Sequence, residues 1–461
     1  MATTSSTKLS VQEYYGKILE NSDSLATNAC TTAGRPPPII RECIKNISPE
    51  VVSKYYGCGI CIPDCLEGRK VVDLGSGSGR DVFIISQLVG EKGKVVGVDM
   101  TKEQLEVARR GVKFHEDKAD EMKLPFGGVD FVEGYIENFN DILPKDMKDG
   151  QTDVVVSNCV INLSPDKEAV LRDAYKCLKE GGELYFSDVY SDRRVPEDLR
   201  KDETLWGECI SGALYWNDFL NLAKKCGFGD PRLVEDSRIT INNPALERKC
   251  GNIKFYSATY RLFKLPELES DCEDYGQAVI YKGTVPFLGG SSEHAFKLDA
   301  HHLIEKGKVF PVCGNTWRML KDTRFEEHFD YIGDFKEHFG IFQGYIIYKN
   351  PSLVLLSHST DPDPVFTYAN SGGQSLFKMD WGSFTSTPSR YSAEEGGDRD
   401  ARQVFMDKVK SQRYVDDYEG VRVASDGSRF LIRAIVWELY DSSNVRRGAA
   451  AFFDSKKVKH L

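Results

Sequence analysis

Cysteines are the residues of this sequence best suited to unusual chemistry. The chain has 461 residues with 12 cysteines and 8 histidines, and every cysteine lies between residues 30 and 313. The first residues lack the apolar core of a secretory signal, so we expect a cytoplasmic protein with reduced thiols, not a disulfide scaffold. Thiolates are soft ligands, so they suit a soft acceptor such as a trivalent metalloid.

A glycine-rich segment is the second chemical feature. Residues 71–79 read VVDLGSGSG, and Arg80 stands where a dinucleotide-binding loop has its third small residue. A G-x-G-x-G loop with a preceding acid suits S-adenosylmethionine, whose amino group Asp73 can bind. The exposed N–H groups of the loop can approach its carboxylate. Asp99, twenty residues after Gly79, is placed to accept hydrogen bonds from the ribose hydroxyls.

Elements that alternate between buried strands and amphipathic helices must position these groups. Thr101 with Gln104 predicts a capping box, and Gly181 with Gly182 predicts the end of a helix. The alternation predicts an α/β fold with a doubly wound, Rossmann-like parallel sheet, whose ligands bind at the carboxyl ends of the strands. The predicted strands are 70–74, 94–100, 129–135, 153–160 and 183–190, and the predicted helices are 80–90, 101–110 and 164–177.

Three of the cysteines have informative positions. Cys159 ends the fourth predicted strand beside the glycine loop, Cys209 follows the fifth strand, and Cys58 belongs to an amino-terminal arm that could act as a lid. The spacing of Cys58, Cys61 and Cys65 (C-x2-C-x3-C) lacks the further ligands that zinc or an iron–sulfur cluster needs, so we favour neither. The remaining cysteines are expected in the core or on the surface: Cys43, Cys177, Cys226, Cys250, Cys272 and Cys313.

The scarcity of histidine bears on the type of methyl acceptor. A methyltransferase that acts on oxygen or nitrogen generally needs a base to remove the proton of the nucleophile. An acid or a tyrosine could serve here, but a nucleophile with an unprotonated lone pair needs no base. A trivalent metalloid held by three thiolates is such a nucleophile.

Several long motifs identify a family resemblance over residues 10–330. The sequence closely resembles the arsenite S-adenosylmethionine methyltransferases. The matching segments are VQEYYGKIL (11–19), YYGCG (55–59), VVDLGSGSGRD (71–81), LVGEKGKVVGVDMT (88–101), GYIE (134–137), VVVSNCVINL (154–163), GGELYFSDVY (181–190), LWGECISGALYW (205–216), RLVEDSRITI (232–241) and FYSATYRLFKLP (255–266).

The resemblance implies specific roles for residues at the matching positions. Cys58, Cys159 and Cys209 match the arsenic-binding thiols, and Cys30 matches an additional redox-active cysteine. The implied reaction is in-line attack of the arsenic lone pair on the sulfonium methyl group. A disulfide involving Cys30 and Cys58 then forms, and thioredoxin or glutathione reduces it. With Asp73, the predicted cofactor residues are Gly75, Ser76, Gly77, Gly79, Asp99, Met100, Ile136, Glu137, Asn158, Tyr14 and Tyr15.

The chain departs from this family after about residue 333. Residues 354–390 and 420–441 resemble a MEKHLA domain, which is PAS-like, with a hairpin signal at Asp426-Gly427. We therefore expect an amino-terminal arm (1–65), a methyltransferase domain (66–230), a small α+β region of the arsenite methyltransferase type (231–333) and a PAS-like α+β domain (334–461). The last could bind a ligand, mediate dimerisation or be passive.

Composition narrows the possible partners. With 60 basic and 70 acidic residues the formal charge is −10, which argues against charge-driven binding of nucleic acid. No apolar run approaches the ~20 residues of a membrane helix. The expected substrates are arsenite or its glutathione conjugates. Two alternatives stay open: methylation of a small organic acceptor, and a metalloid sensor that signals through the PAS-like domain.

Overall fold

A computed structural model shows two compact units. One comprises residues 1–272, 280–307 and 315–330, and the other comprises residues 273–279, 308–314 and 331–461. The structure describes residues 8–9, 11–12, 36–55, 59–270, 277–285, 291–332, 352–393, 405, 408–409, 414–440 and 445–461.

The first unit is built on a mixed sheet with the order β3-β2-β1-β4-β5-β8-β7. The five strands β1 to β5 run parallel, which confirms the doubly wound arrangement. β8 continues the sheet antiparallel to β5, and β7 at the edge is antiparallel to β8. The chain crosses from β2 and β3 on one side of β1 to β4 and β5 on the other, which defines the switch point. The strands are β1 Lys70–Leu74, β2 Lys94–Asp99, β3 Gly128–Glu133, β4 Thr152–Asn158, β5 Leu178–Ser191, β6 Leu214–Tyr215, β7 Arg232–Arg238 and β8 Phe255–Phe263.

Helices cover the sheet and bury its apolar strands. Val71, Val95 and Val154 pack with one helical layer, while Val72, Val96 and Val155 pack on the opposite face. The helices of this unit are α1 Pro38–Lys45, α2 Pro49–Ser53, α3 Arg80–Val89, α4 Lys102–Met122, α5 Phe139–Ile142, α6 Lys167–Cys177, α7 Glu197–Arg200, α8 Glu203–Gly207, α9 Trp216–Lys225, α10 Pro244–Cys250 and α11 Gly314–Lys321, the first residue of which belongs to the second unit.

Helix α4 continues twelve residues beyond its predicted end at Arg110. Gly111, His115 and Ala119 extend its buried face at a spacing of four residues, and the His115 ring stacks on Phe83 with centroids 3.7 Å apart. A Cβ at Gly111 would come within 3.1 Å of the Phe83 ring, so this glycine permits close packing and does not end the helix. Thr101 is the N-cap, but it makes no side-chain capping bond, so the predicted capping box is wrong.

The glycine pair at 181–182 lies inside β5 and does not end α6. The helix ends at Cys177, and β5 begins at the next residue, five residues before its predicted start. Gly181 has φ +74°, and a Cβ there would lie 2.4 Å from the carbonyl oxygen of Asp322. The position therefore needs glycine because another backbone segment approaches it closely. At its other end, α6 begins at Lys167, capped by Asp166, after the predicted start at Ser164.

A buried ion-pair network fixes the end of the amino-terminal arm, around Asp64. Glu183 of β5 is fully buried and pairs with Arg324 and with Arg261, whose Nε lies 2.7 Å from a carboxylate oxygen. The Nε of Arg324 donates to the carbonyl oxygen of Asp64 (2.8 Å), and the Asp64 carboxylate accepts from Ser291 (3.1 Å). Because the charges are paired within the core, the segment around Asp64 is tied to β5 and β8.

Short strands follow the large sheet. The bounds are β9 Gln277–Tyr281, β10 Ala295–Lys297, β11 Leu303–Glu305, β12 Val309–Val312 and β13 Phe329–Ile332, with the sheet orders β10-β11 and β12-β9-β13.

The rest of the second unit contains an antiparallel sheet with the order β15-β14-β18-β17-β16, and β19 pairs with β17. The predicted hairpin at Asp426-Gly427 is confirmed, because β16 and β17 pair antiparallel on either side of this turn. The elements are β14 Leu353–His358, β15 Phe366–Ala369, β16 Tyr414–Val423, β17 Arg429–Tyr440, β18 Arg446–Asp454 and β19 Lys459–His460, with helices α12 Ser371–Phe377 and α13 Trp381–Thr385. Within the described ranges, no helix combines the length and the apolar character needed to cross a membrane.

Candidate active site

A cavity opens at the carboxyl ends of β1, β2 and β4, at the switch point of the sheet. It contains about 1030 Å³ of empty space, including its open mouth. Of the residues predicted from the sequence to contact the cofactor, its lining includes Asp73, Gly75, Ser76, Gly77, Asp99, Met100, Ile136, Glu137 and Asn158. Gly79 does not line the cavity, and Tyr14 and Tyr15 lie outside the described residues.

The glycine loop shapes this cavity through its backbone. Gly75, Gly77 and Gly79 have φ values of +72°, +53° and +87°, and a Cβ at Gly75 would lie 2.3 Å from a methyl group of Val160. The prediction is that the loop N–H groups approach the carboxylate of the cofactor, but in the structure those of the three glycines bind other atoms of the protein. The N–H of Gly75 donates to Val98 (2.7 Å), that of Gly77 to the Asp99 carboxylate (2.9 Å) and that of Gly79 to Ser76 (2.9 Å). Closing the turn uses these donors, so they are not directed at a ligand.

Buried carboxylates give the cavity a strongly acidic character. Asp73, Asp81 and Asp99 all line it and are each less than a tenth exposed. Burial raises the pKa of Asp73 well above its usual range, and the negative charges of Asp81 and Asp99 raise it further. Burial also raises the pKa of Asp99, although N–H groups of Thr101 (2.7 Å) and Gly77 stabilise its charged form. A cationic ligand relieves this repulsion, so the residues fit the ammonium and sulfonium groups of S-adenosylmethionine.

Glu137 forms the opposite wall with residues that the sequence did not single out. Its carboxylate accepts a hydrogen bond from the Ser164 hydroxyl (2.7 Å) and pairs with the Lys8 ammonium (3.0 Å). Lys8 and Ser164 both line the cavity. Gln12 donates to the Met100 carbonyl (2.7 Å), and Val11, Lys54 and Tyr55 also line the cavity, so the described part of the amino-terminal arm forms part of the cofactor site.

Arg80 and Asn158 hold the two residues that flank the segment containing Cys58. The Cζ of Arg80 lies 3.1 Å from the centroid of the Tyr55 ring, and its Nη2 donates to the carbonyl of Gly59 (3.0 Å). The Nδ2 of Asn158 donates to the Tyr55 hydroxyl (2.8 Å) and to Gly59 (3.2 Å), and the same hydroxyl donates to Gly59 (2.8 Å). We call Tyr55, Gly59, Arg80 and Asn158 the latch. Arg80, which distinguishes this loop from a dinucleotide-binding loop, thus connects the glycine loop to residues 55 and 59.

Cys159 and Cys209 are adjacent, and both have strained backbones. Their φ values are +57° and +60°, a region that residues other than glycine rarely adopt. The Cys209 thiol donates to the carbonyl oxygen of Cys159 (3.1 Å), and the Cys159 N–H donates to Ser187 of β5 (2.8 Å). Cys159 lines the cofactor cavity. Strain of this kind, which costs about 1–3 kcal/mol per residue, is typical of functional sites.

The two adjacent cysteines differ in redox state. Cys159 is in a disulfide, whereas Cys209 is a free thiol. A sulfur in a disulfide cannot act as a thiolate ligand, so Cys159 must be reduced before it can bind arsenic. Cys30 and Cys58, the other cysteines with predicted roles, lie outside the described residues.

The cysteines without a predicted role behave as core residues wherever the structure describes them. Cys43, Cys61, Cys65, Cys177, Cys226, Cys250 and Cys313 are buried free thiols, and Cys272 lies outside the described residues. Burial raises the pKa of Cys43 to about 11 and that of Cys65 and Cys177 to about 12. These thiols therefore stay protonated at neutral pH and are poor ligands.

A buried lysine and aspartate lie behind the thiol pair. The Asp188 carboxylate accepts from the N–H groups of Asn162 (2.9 Å) and Val189 (2.8 Å), and burial raises its pKa to about 7. Burial lowers the pKa of Lys167 to about 8, while the negative charges of Asp188 and an ionised Cys209 oppose this shift. The sequence offered no signal that Lys167 belongs to the site. Asp188 could have been noticed, because it lies near the carboxyl end of the predicted strand 183–190.

Comparison with known proteins agrees with this geometry. Residues 66–227 match a methyltransferase domain, residues 275–339 the arsenite methyltransferase C-terminal domain, and residues 344–458 the MEKHLA domain. The arsenite methyltransferase of Aquipseudomonas alcaligenes is 58% identical over 335 residues, covering 73% of this chain and 93% of that protein. The human arsenite methyltransferase is 47% identical over 322 residues, covering 69% and 82%.

A solved structure supports the same assignment. CrArsM, an arsenic(III) S-adenosylmethionine methyltransferase from Chlamydomonas reinhardtii, is 46% identical and superimposes with a TM-score of 0.61, covering 65% of this chain and 97% of that one. The cavity of buried carboxylates beside two strained cysteines, the family matches and the high identities lead to one conclusion. The chain belongs to the family of S-adenosylmethionine-dependent arsenite methyltransferases and carries an additional MEKHLA domain.

Proposed function

We propose that this enzyme methylates trivalent arsenic while Cys58, Cys159 and Cys209 bind the metalloid. The observation that carries the proposal is the position of Cys159, which lines the cofactor cavity while its carbonyl oxygen accepts a hydrogen bond from the Cys209 thiol. This contact brings the Cys209 thiol up to the backbone of a residue in the cavity wall. The family resemblance supplies Cys58, and the latch fixes residues on either side of it.

The carboxylates of the cavity bind and orient the methyl donor. S-adenosylmethionine supplies a methyl group on a positively charged sulfur. Asp73 binds its ammonium group, and Asp99 accepts hydrogen bonds from its ribose hydroxyls. Asp81 adds a further negative charge close to Asp73. The buried walls exclude water, which strengthens these electrostatic interactions.

The arsenic substrate needs no general base. Three thiolates leave one lone pair on arsenic(III), and no proton has to leave the nucleophile during methyl transfer. The thiolate is the form of a cysteine that binds arsenic. A site with a buried cation and soft sulfur ligands is better suited to a metalloid than to a hydroxyl or amine acceptor.

Methyl transfer changes the oxidation state of arsenic, so the cysteines also supply electrons. Arsenic(III) becomes arsenic(V) when its lone pair forms the new As–C bond. Its return to arsenic(III) requires two electrons, which two thiols supply as they lose two protons and form a disulfide. We assign this step to Cys30 and Cys58, as the family resemblance implies, and the regeneration of the thiols to thioredoxin or glutathione. This need for reduced thiols is our reason for placing the reaction in the cytoplasm.

The test is an assay of the purified protein with arsenite, S-adenosylmethionine and a thiol reductant. We expect methylated arsenicals, and we expect Cys209→Ser to abolish methylation of both inorganic and monomethylated arsenic because it removes a ligand. The matched control is Cys226→Ser, which alters a buried cysteine outside the site and should retain activity. Normal turnover by Cys209→Ser would refute the ligand assignment. Arsenite binding without any methylated product would favour the sensor alternative.

A further inference from the structure

The MEKHLA domain contains a second cavity, on the inner face of its sheet. The cavity holds about 540 Å³ of empty space, including its mouth, and Arg422 of β16 lies in its wall. Most of the lining is apolar, with contributions from Leu356 of β14, Ile432 and Val436 of β17 and the alanines 449–451 of β18. Small side chains on β18 leave space that larger residues would fill.

Arg422 places a positive charge in this apolar wall. Its side chain is buried with the residue only 9% exposed, and a guanidinium remains charged at every physiological pH. Its contacts are the carbonyl of Val421 (2.8 Å) and the hydroxyl and ring of Tyr418, whose centroid lies 5.1 Å from Cζ. Neither group is an anion. In the part of the chain that the structure describes, no carboxylate lies within ion-pairing distance of Arg422.

The acidic residue of β17, Glu438, cannot neutralise Arg422 because its carboxylate already has other partners. Glu438 is buried, and its carboxylate binds the Nε of Arg446 and the hydroxyl of Tyr440. An unpaired charge in a protein interior is strongly destabilising unless a partner compensates it. Among the described residues, the two other buried arginines, Arg261 and Arg324, both pair with the carboxylate of Glu183. Arg422 is therefore an anion site whose partner is supplied from outside the described fold.

We propose that the MEKHLA domain binds a small organic carboxylate in this cavity. The guanidinium of Arg422 and the hydroxyl of Tyr418 hold the carboxylate, and the apolar body of the ligand packs against Leu356, Ile432 and Val436. A single cation matches a monoanion, whereas a phosphate dianion would need further donors. The apolar lining requires a compact hydrocarbon or aromatic body. This site belongs to a different domain from the arsenic chemistry and does not depend on it.

The test uses the full-length protein with benzoate as the probe and benzyl alcohol as its neutral counterpart. Binding is measured by ligand-observed NMR and by calorimetry. We expect benzoate to bind at least about tenfold more tightly than benzyl alcohol, the lower limit for a charge-assisted hydrogen bond. Arg422→Met should abolish that preference. The matched control is Arg433→Met, because Arg433 lies on the exposed face of the neighbouring strand and pairs with Glu419.

A second variant keeps the test decisive if Arg422→Met does not fold. Ala451→Leu leaves Arg422 in place and fills the cavity, because Ala451 pairs with Val436 and Leu356 on the same face of the sheet, so it should weaken benzoate binding by at least about tenfold. Equal affinity for benzoate and benzyl alcohol would overturn the proposal. So would the lack of saturable benzoate binding by the parent protein, or full benzoate binding by a folded Arg422→Met or Ala451→Leu variant.

Discussion

The latch offers a direct test of the role proposed for Cys58, which lies between Tyr55 and Gly59 in the sequence. Tyr55→Phe removes a hydroxyl that donates to Gly59 and accepts from Asn158, both at 2.8 Å. The aromatic ring stays in place against the Arg80 guanidinium. The substitution therefore removes two hydrogen bonds and leaves the stacking contact intact.

The expected cost follows from what the two partners retain. The Gly59 carbonyl still accepts from Arg80 (3.0 Å), and the Asn158 amide still donates to Gly59 (3.2 Å). Because no buried group loses its last partner, the two bonds together contribute about 1–2 kcal/mol, toward the lower end of their range. If the latch must be closed for Cys58 to reach arsenic, kcat/KM for arsenite falls by about 5- to 30-fold.

Three quantities are measured for the Tyr55→Phe variant and for the parent: kcat/KM for arsenite at saturating S-adenosylmethionine, the free energy of unfolding, and the Kd of the cofactor. The control variant is Tyr256→Phe, which removes a hydroxyl on β8 outside the cavity lining and should leave kcat/KM unchanged. A Tyr55→Phe enzyme with the kcat/KM of the parent and a lower stability would refute the reasoning. In that case the latch would stabilise the fold without positioning the thiol.

Four further changes test other parts of the structure. Asp73→Asn should weaken cofactor binding, because it removes the carboxylate that we assign to the ammonium group of S-adenosylmethionine; calorimetry measures the Kd, and an unchanged Kd would contradict the assignment. Cys30→Ser should impair the first methylation more than the second in product analysis, and equal effects would argue against a redox role. Arg324→Met should lower the free energy of unfolding by about 3 kcal/mol in urea, because it breaks the buried pair with Glu183, and a near-neutral effect would contradict this. Truncation after residue 340 should preserve methylation, since the match to the arsenite methyltransferase C-terminal domain ends at residue 339 and the MEKHLA match begins at residue 344, and loss of turnover in a folded truncated protein would refute this.

The position of the cofactor cavity could be predicted because strand order alone determines it. Asp73, Asp99 and Asn158 end parallel strands, and the carboxyl ends of such strands meet at one edge of the sheet. The local errors have a common origin. Gly111 and Gly181 look like helix ends in the sequence, but each one permits a close approach by a distant segment that no local pattern reveals.

The latch and the strained thiols could not be predicted from local patterns. Tyr55 and Arg80 lie 25 residues apart and meet only after the sheet has formed. Glycine often signals a positive φ in a sequence, but cysteine does not, so nothing marked the backbones of Cys159 and Cys209 as unusual. The family resemblance identified these cysteines by position, and the structure adds the conformational reason that their side chains lie together.

The buried carboxylates of the cavity also bear on the end of each catalytic cycle. Loss of the methyl group turns the sulfonium of the donor into a neutral thioether, while Asp73, Asp81 and Asp99 keep their places around it. The spent donor has thus lost one of the two positive charges that offset their mutual repulsion. The enzyme should therefore release its by-product more readily than it releases fresh donor, and product inhibition should be weak when several methyl groups are added in succession.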